Sequence, residues 1–280
     1  MLTSFHRLMA AARKGGYAVG AFNIYNLEGA LAVMQAADEM SSPVMLQILP
    51  SALDIGGSAL VKLCLELGRQ ASVPVAVHLD HCSSAHQIRM ALDAGVCSVM
   101  ADGSGLAYAE NLAFTRQMAG LARQFDADVE AELGKLSGSE DGLAVSQRLA
   151  RMTDPDQAVD FVQKTGVSAL AVCIGNVHGK YRLPPDLDFG RLDRIRNRVD
   201  LPLVLHGTSG LPGEMVKRAM DLGVCKFNVN TEVRKAYLGA MENALGNKPE
   251  LVGIMNQGIR AMTAVVKEKI TLFNSAGKAG

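Results

Sequence analysis

Hydrophobic positions along this chain come in two alternating textures. Short runs that are apolar at nearly every position, and often β-branched, are separated by longer stretches in which apolar residues recur every three or four positions. The short runs are "YAVGAFNI" (17–24), "PVMLQIL" (43–49), "PVAVHLD" (74–80), "CSVMAD" (97–102), "ADVEAEL" (127–133), "SALAVCI" (168–174), "LPLVLHG" (201–207) and "CKFNVN" (225–230). Near-continuous apolar runs are what parallel strands covered on both faces look like. The stretches between them read as helices, for example "NLEGALAVMQAADEM" (26–40), "SAHQIRMALDAG" (84–95), "DPDQAVDFVQKTG" (154–166) and "LPGEMVKRAMDLG" (211–223). Their ends carry start and stop signals: Asp154-Pro155 opens one helix and Gly166 closes it, while Pro212 sits in the first turn of another that Gly223 ends. Eight strand–helix units in 280 residues predict an α/β fold, a (β/α)8 TIM barrel formed by one domain over residues 1–280. The competing arrangement is an open doubly wound sheet, and the absence of GxGxxG after the first strand weakens its dinucleotide-binding version. A last amphipathic helix, residues 250–273, is expected to pack on the barrel or on a partner subunit.

Composition narrows the function classes. Lys plus Arg number 28 and Asp plus Glu number 28, so the net charge is zero and broad binding to nucleic acid or to an anionic membrane is not expected. No apolar run reaches the roughly 20 residues of a membrane span. Cys64, Cys82, Cys97, Cys173 and Cys225 are scattered, odd in number and without a CxxC pair, and no secretory signal precedes them; reduced thiols in a cytoplasmic protein are the expectation.

The chemistry is concentrated where the apolar runs stop. Asn23 ends the first strand, Asp80 and His81 the third, Asp102 the fourth, and Glu130 and Glu132 the fifth; His178 follows the sixth, His206 ends the seventh, and Asn228 and Asn230 end the eighth. In a barrel of this type the carboxyl ends of the strands build the active site. His81, His178 and His206 make a candidate metal trio, because three imidazoles bind Zn2+ and leave a position for substrate. Asp80, beside a Lewis acid, suits proton transfer; the helix that follows has Ser83 or Ser84 as a better cap. His78 shares the side of Asp80 but lies deeper, as a core or supporting residue. Gly207-Thr208-Ser209-Gly210 after the seventh strand and Asn228-Val229-Asn230-Thr231 after the eighth occupy the loops that commonly bind phosphate in barrels, and Gly179 and Lys180 adjoin His178. Residues 134–153 form a long polar connection of the kind that serves as a lid; Glu140 and Asp141 near its centre are either a mobile acid reaching the site or a solvated acidic turn.

The motifs "HLDHCSS", "VEAELG", "TDPDQAVDFV", "IGNVHGKY", "PLVLHGTSG" and "LGVCKFNVNTEVR" together resemble the class II (zinc-dependent) ketose-bisphosphate aldolases of fructose and tagatose type, most closely the tagatose branch. The resemblance runs from "GAFNIYNLEGA" (20–30) to "KEKITLFNSAGKA" (267–279). It implies a zinc-dependent aldolase that reversibly cleaves a ketose 1-phosphate or 1,6-bisphosphate to dihydroxyacetone phosphate and an aldehyde. It implies Zn2+ on His81, His178 and His206, with Glu132 and Asp102 as an alternate placement, Asp80 as the catalytic acid/base, and Glu140 as a lid acid assisting protonation. Gly179, Gly207, Ser209, Asn228 and Thr231 match the dihydroxyacetone-phosphate pocket, beside which the family often holds a monovalent cation (Na+ or K+). Asn23, Gln47, Lys180, Thr208, Asn230 and Arg234 complete the expected substrate-binding set. Members of the family are usually homodimers or homotetramers.

Departures from the family pattern gather at the distal end of the substrate. Relatives commonly have Ser two residues after the strand-2 Gln, where Gln47 is followed here by Ile48 and Leu49. The usual Asn-x-Asp-Thr-Asp reads Asn228-Val229-Asn230-Thr231-Glu232, and the second Gly of Gly-Gly-Ser is Thr208. The nearest match to a distal-phosphate Asp-Pro-Arg is Lys248-Pro249-Glu250, which leaves Arg234 as the distal candidate. An arginine replaced by glutamate reverses a charge-assisted contact, so an aldehyde other than the standard triose phosphate, unphosphorylated or bearing another anion, is an alternative. A non-catalytic barrel subunit and a metal-dependent isomerase or epimerase on the same barrel are the readings from other classes.

Overall fold

The computed structural model describes residues 1–140, 143–145, 151–179, 181, 184–245 and 250–280, with 137–140 and 143–145 described by their backbone. Strands occur in the order β1 (Val19–Asn23), β2 (Val44–Ile48), β3 (Val75–Cys82), β4 (Ser98–Ala101), β5 (Asp128–Leu133), β6 (Ser137–Glu140), β7 (Leu143–Val145), β8 (Ala169–Val172), β9 (Val177–His178), β10 (Leu203–Leu205) and β11 (Val224–Val229). The helices are α1 (Phe5–Gly15), α2 (Leu27–Glu39), α3 (Pro50–Gln70), α4 (Ala85–Ala94), α5 (Tyr108–Ala122), α6 (Pro155–Thr165), α7 (Phe189–Arg196), α8 (Gly213–Asp221), α9 (Thr231–Leu245) and α10 (Leu251–Leu272). Eight of the strands close into a parallel barrel in the order β1-β11-β10-β8-β5-β4-β3-β2. These are the eight apolar runs of the sequence, and the (β/α)8 expectation holds.

Local signals set the helix ends. The Ser84 side chain accepts from the Gln87 amide and caps α4, so Asp80 is spared that duty. Asp154 caps α6 with Pro155 in its first turn, and Gly166 ends it at φ 66°, a left-handed conformation that glycine adopts without cost. Alternation along the strands divides the core in two. Outward residues such as Leu46, Val77, Leu79, Leu170 and Phe227 meet the helices, while inward residues at the amino-terminal end, including Ala21, Met45, Ala76, Ala169, Ala171 and Val204, are small or apolar. Phe5, Leu8, Met9 and Ala12 of α1 plug that end. The opposite end is lined by polar residues.

The terminal helix packs on α2 and α9; Thr263 donates to the Ala32 carbonyl, and Phe273 just beyond α10 stacks on Phe227 at 4.9 Å between ring centroids. The connection after β5, read from sequence as a long polar lid-like segment over residues 134–153, contains strands of its own. Its described part holds β6 and β7 as an antiparallel pair, and β9 joins the edge of β6, bringing Gly138 into register with His178. Gly and Ser in "SGSE" give no strand periodicity; the pairing comes from the neighbours. Among the described residues no helix is long and apolar enough to cross a membrane.

Candidate active site

Asp80 and His81 are consecutive, and in a regular strand consecutive side chains point to opposite faces. Here β3 breaks its register with β4 between Leu79 and Cys82, and His81 takes a positive φ of 42°. The break lets both side chains reach the barrel interior: Asp80 is 1% exposed and His81 is 5% exposed. A non-glycine residue in the left-handed region stores backbone strain and is held there by its surroundings.

Three amides fix Asp80. Its Oδ2 accepts from Asn23 Nδ2 at 3.0 Å and Gln47 Nε2 at 3.1 Å, and its Oδ1 accepts from Asn228 Nδ2 at 2.9 Å. Gln47 also donates to Asn23 Oδ1 at 2.9 Å, so β1 and β2 present the carboxylate with one connected pair. The carboxylate is acceptor-only, and each of these three amides offers it an N–H.

The histidines converge beside it. The His81 ring centroid lies 5.0 Å from His178 and 4.5 Å from His206, and His178 and His206 are 6.4 Å apart. Their partners assign the ring protons. Asp102 Oδ2 lies 2.8 Å from His81 Nδ1, so that nitrogen carries a hydrogen. Glu130 Oε1 lies 2.8 Å from His206 Nε2, and Asn228 Nδ2 lies 3.0 Å from His206 Nδ1, so the His206 lone pair is on Nδ1. His81 Nε2 faces that lone pair at 2.8 Å in a buried site. Only a shared proton or a cation makes that favourable. Asp80, His81 and His206 bring three donor atoms within 4.8 Å of one another, and His81, Asp102 and Glu132 form a second such group among the described residues. Glu132 Oε2 is buried without a hydrogen-bond partner among the described residues, 3.9 Å from His81 Nδ1. A set of imidazoles and carboxylates of this kind fits a divalent cation of borderline softness. The predicted histidine trio is thus together as rings, whereas the tightest donor groups pair His81 with carboxylates.

Electrostatics follow from burial and these neighbours. Burial lowers His206 well below the ordinary imidazole range, and the charge of His81 adds to it. Burial acts in the same direction on His81, but the carboxylates of Asp80, Asp102 and Glu132 outweigh it and His81 is raised. Burial, followed by the charge of Asp102, pushes Glu132 up to about 8. Asp102 moves the opposite way: burial resists, but hydrogen bonds from His81 and Ser104 and the His81 charge hold it below the usual carboxylate range.

Around this centre lie the expected phosphate loops. Gly207 has φ 63°, and a Cβ there would stand 2.3 Å from the Val177 carbonyl oxygen, so only glycine allows β10 to pass β9. Thr208 Oγ1 donates to the Asn228 carbonyl, and Ser209 Oγ donates to Glu232 Oε2 at 2.8 Å. Gly179 has φ 79°. Thr231 opens α9, Asn230 Oδ1 accepts from the Tyr25 hydroxyl at 3.0 Å, and the Arg234 amide follows one turn on. The side chain of Glu140, and Asp141, Lys180 and Lys248-Pro249, lie outside the described residues.

Residues 3–278 match the family Fructose-bisphosphate aldolase class-II. The chain belongs to this family. The YdjI aldolase from Escherichia coli K12 is 34% identical over 100% of both chains, with a TM-score of 0.90. A putative fructose-1,6-biphosphate aldolase from Coccidioides immitis is 35% identical over 98% of this chain and 96% of that one, with a TM-score of 0.94. Fructose-bisphosphate aldolase from Campylobacter jejuni is 21% identical over 99% and 97% of the chains, and its TM-score of 0.84 shows the shared fold. This class II aldolase is accordingly a lyase, and the family placement makes its His/Asp/Glu cluster a metal-site candidate.

One residue in the class II aldolase site, Lys226, is not among those the strand-end pattern picks out, and its partner Glu130 is picked out only by position. Lys226 is fully buried and lies 2.9 Å from Glu130 Oε2, and Glu130 faces His206. The signal was present: a lysine inside the apolar run "CKFNVN" has no place in a barrel strand without a buried partner. His78 is the supporting residue expected; it is fully buried, 2.8 Å from Ser98 Oγ, and stacked on Phe5 at 5.7 Å.

Proposed function

We propose that this class II aldolase is zinc-dependent and reversibly cleaves a ketose 1-phosphate or 1,6-bisphosphate, of tagatose or fructose type, into dihydroxyacetone phosphate and an aldehyde. One juxtaposition carries the reading: a carboxylate gripped by three amides stands beside two imidazole nitrogens 2.8 Å apart at the carboxyl end of the barrel. Zn2+ on His81, His178 and His206, when bound, supplies Lewis-acid polarisation of the ketose oxygens. Asp102 and Glu132 flank His81 and offer the alternate placement.

The chain's own groups handle binding and the proton. Asn23, Gln47 and Asn228 orient Asp80 before substrate arrives, so no reorganisation is needed during reaction. In the cleavage direction Asp80 accepts the C4-hydroxyl proton, the C4–O bond becomes a carbonyl, and the C3–C4 electron pair remains on C3 in conjugation with C2. In synthesis the same carboxyl returns its proton to the new C4 oxygen. Glu140 is assigned the delivery of a proton to C3. Gly179, Lys180, Gly207, Thr208, Ser209 and Thr231 form the phosphate cradle, supported by the close backbone approach at Gly207 and the start of α9 at Thr231. A monovalent cation (Na+ or K+) beside it, a cytoplasmic setting and a homodimeric or homotetrameric state belong to the same reading; exposed Leu251 and Val252 on α10 agree with the last.

A second reading keeps the chemistry and changes the aldehyde. Ile48 and Leu49 are buried and apolar where relatives carry a hydroxyl, and Asn230 is tied to Tyr25 where they carry an acid. Arg234 then holds whatever anion the aldehyde bears. Lys226 Nζ lies buried in an ion pair, so a Schiff-base route through it has no support.

The test needs no knowledge of the aldehyde. Zinc-loaded protein is given dihydroxyacetone phosphate in D2O and loss of the C3 proton is followed by NMR, with His206→Ala as control. Exchange that disappears in the control is the expected result. No exchange from protein shown to hold zinc would overturn the reading. Comparing kcat/KM on the two bisphosphates then separates the standard triose phosphate from another aldehyde.

A further inference from the structure

Lys226 has no role in the chemistry above, yet it is buried among the groups that do. Its Nζ reaches Glu130 Oε2 at 2.9 Å and Oε1 at 3.2 Å, and donates to Asn228 Oδ1 at 2.7 Å. Both Lys226 and Glu130 are 0% exposed. An ion pair at this depth is costly to desolvate, and replacing such a pair with apolar residues is often neutral or stabilising. Stability alone therefore gives little reason for it.

We infer that Lys226 is a positioning residue that fixes the His206 tautomer through Glu130 and the amide orientation of Asn228 directly. The reasoning is an inventory of donors and acceptors. A lysine ammonium donates only, and a carboxylate accepts only. With Lys226 on Glu130, the ring nitrogen facing Glu130 must carry a hydrogen, so His206 is the Nε2–H tautomer with its lone pair on Nδ1. The second arm reaches the same end. Lys226 takes Asn228 Oδ1, so Asn228 Nδ2 turns toward Asp80 Oδ1 at 2.9 Å and His206 Nδ1 at 3.0 Å. Both routes leave the same lone pair directed at His81 Nε2. One buried cation thus sets a metal-binding nitrogen and the grip on the catalytic carboxylate together. Partners of this kind typically change metal affinity 10–100-fold when removed.

The inference rests on the metal-site reading for its consequence and on hydrogen bonding for its substance, and the experiment separates the two. Zinc-free protein labelled with 15N-histidine is examined by long-range 1H–15N correlation, which reads ring tautomers, with the His206 signals assigned by their absence in His206→Asn. Wild-type protein is expected to show His206 as Nε2–H; an Nδ1–H tautomer there would overturn the inference without any variant. Lys226→Met and the isosteric Glu130→Gln are expected to lose the single tautomer. Each is expected to weaken Zn2+ about 10–100-fold in competition with a chromophoric chelator. The double variant should be no worse than the weaker single by more than about threefold, since both act through one path. Folded variants that keep the tautomer and bind Zn2+ within about threefold of wild type would also overturn it. Should Lys226→Met not fold, Glu130→Gln and the wild-type spectrum still decide. Wild-type protein that shows Nε2–H but binds no Zn2+ would instead count against the metal reading alone.

Discussion

Glu132 shows how far burial can move a single carboxyl. It is 1% exposed, and burial and the neighbouring Asp102 charge raise it from 4.5 to about 8. Between those values the folded, metal-free protein holds a proton that the unfolded chain releases. The associated stability is fully present below about pH 4.5, declines as pH rises toward about 8, and falls no further above it. Glu132→Gln removes the step. Thermal melts of the two metal-free proteins across this range should show wild type losing ground to the variant as pH rises, with a constant gap above about 8; parallel profiles would refute the assignment. Asp80 makes the complementary case, because three amide N–H groups hold it. In Asp80→Asn the amide retains the shape and cannot take a proton. The expected loss in kcat is about 10²–10⁴-fold, the usual contribution of general acid–base catalysis, with Zn2+ still bound. Retained turnover would remove Asp80 from the proton-transfer role.

At the scale of elements, the site depends on strand ends that leave ideal geometry. The bulge in β3 turns two consecutive residues inward, and β10 clears β9 only because residue 207 lacks a side chain. Gly207→Ala places a Cβ against the Val177 carbonyl and forces an alanine to φ 63°, a conformation that costs of order 1–3 kcal/mol on its own. The displaced partner is β9, which carries His178, so Zn2+ affinity measured by chelator competition should fall at least about tenfold while the barrel still folds. Unchanged affinity would separate β9 from the metal site. These elements also show what a sequence yields. The eight barrel strands were legible because full burial leaves an apolar signature, and Asp80, His81 and His206 because imidazole and carboxylate interrupt it. β6 and β9 were not legible: "SGSE" and "VH" owe their pairing to each other. Lys226, and the role of Glu130, are not legible because they depend on parity across strands distant in sequence; both point inward, and only the closed barrel brings β5 and β11 face to face.

The whole molecule is a barrel with one apolar end and one polar end, and the difference bears on how it is held together. Phe5, Leu8 and Met9 close the amino-terminal end with ordinary hydrophobic packing. The carboxyl end buries Asp80, Glu130, Glu132, Lys226 and two histidines of the site, and groups of this kind are expensive to take out of water unless each is matched. Much of that matching is internal, but His81 Nε2 and His206 Nδ1 meet at 2.8 Å through a shared proton that a cation could replace, and one Glu132 oxygen has no hydrogen-bond partner among the described residues. A divalent cation that binds the folded state and not the unfolded one adds stability as RT ln(1 + [L]/Kd), about 4 kcal/mol at a thousandfold excess over Kd. For a chain of this length such a gain corresponds to roughly 8–16 °C in Tm. Chelator-treated protein should therefore melt several degrees below the zinc-loaded form, with Tm rising with the logarithm of free Zn2+ once the site is saturated. Above about pH 8 Glu132→Gln should narrow that gap, because its metal-free form no longer buries an unpartnered carboxylate. A Tm indifferent to Zn2+ would mean that the polar end is balanced without a metal, and the reading of His81 and His206 as a cation site would fail with it.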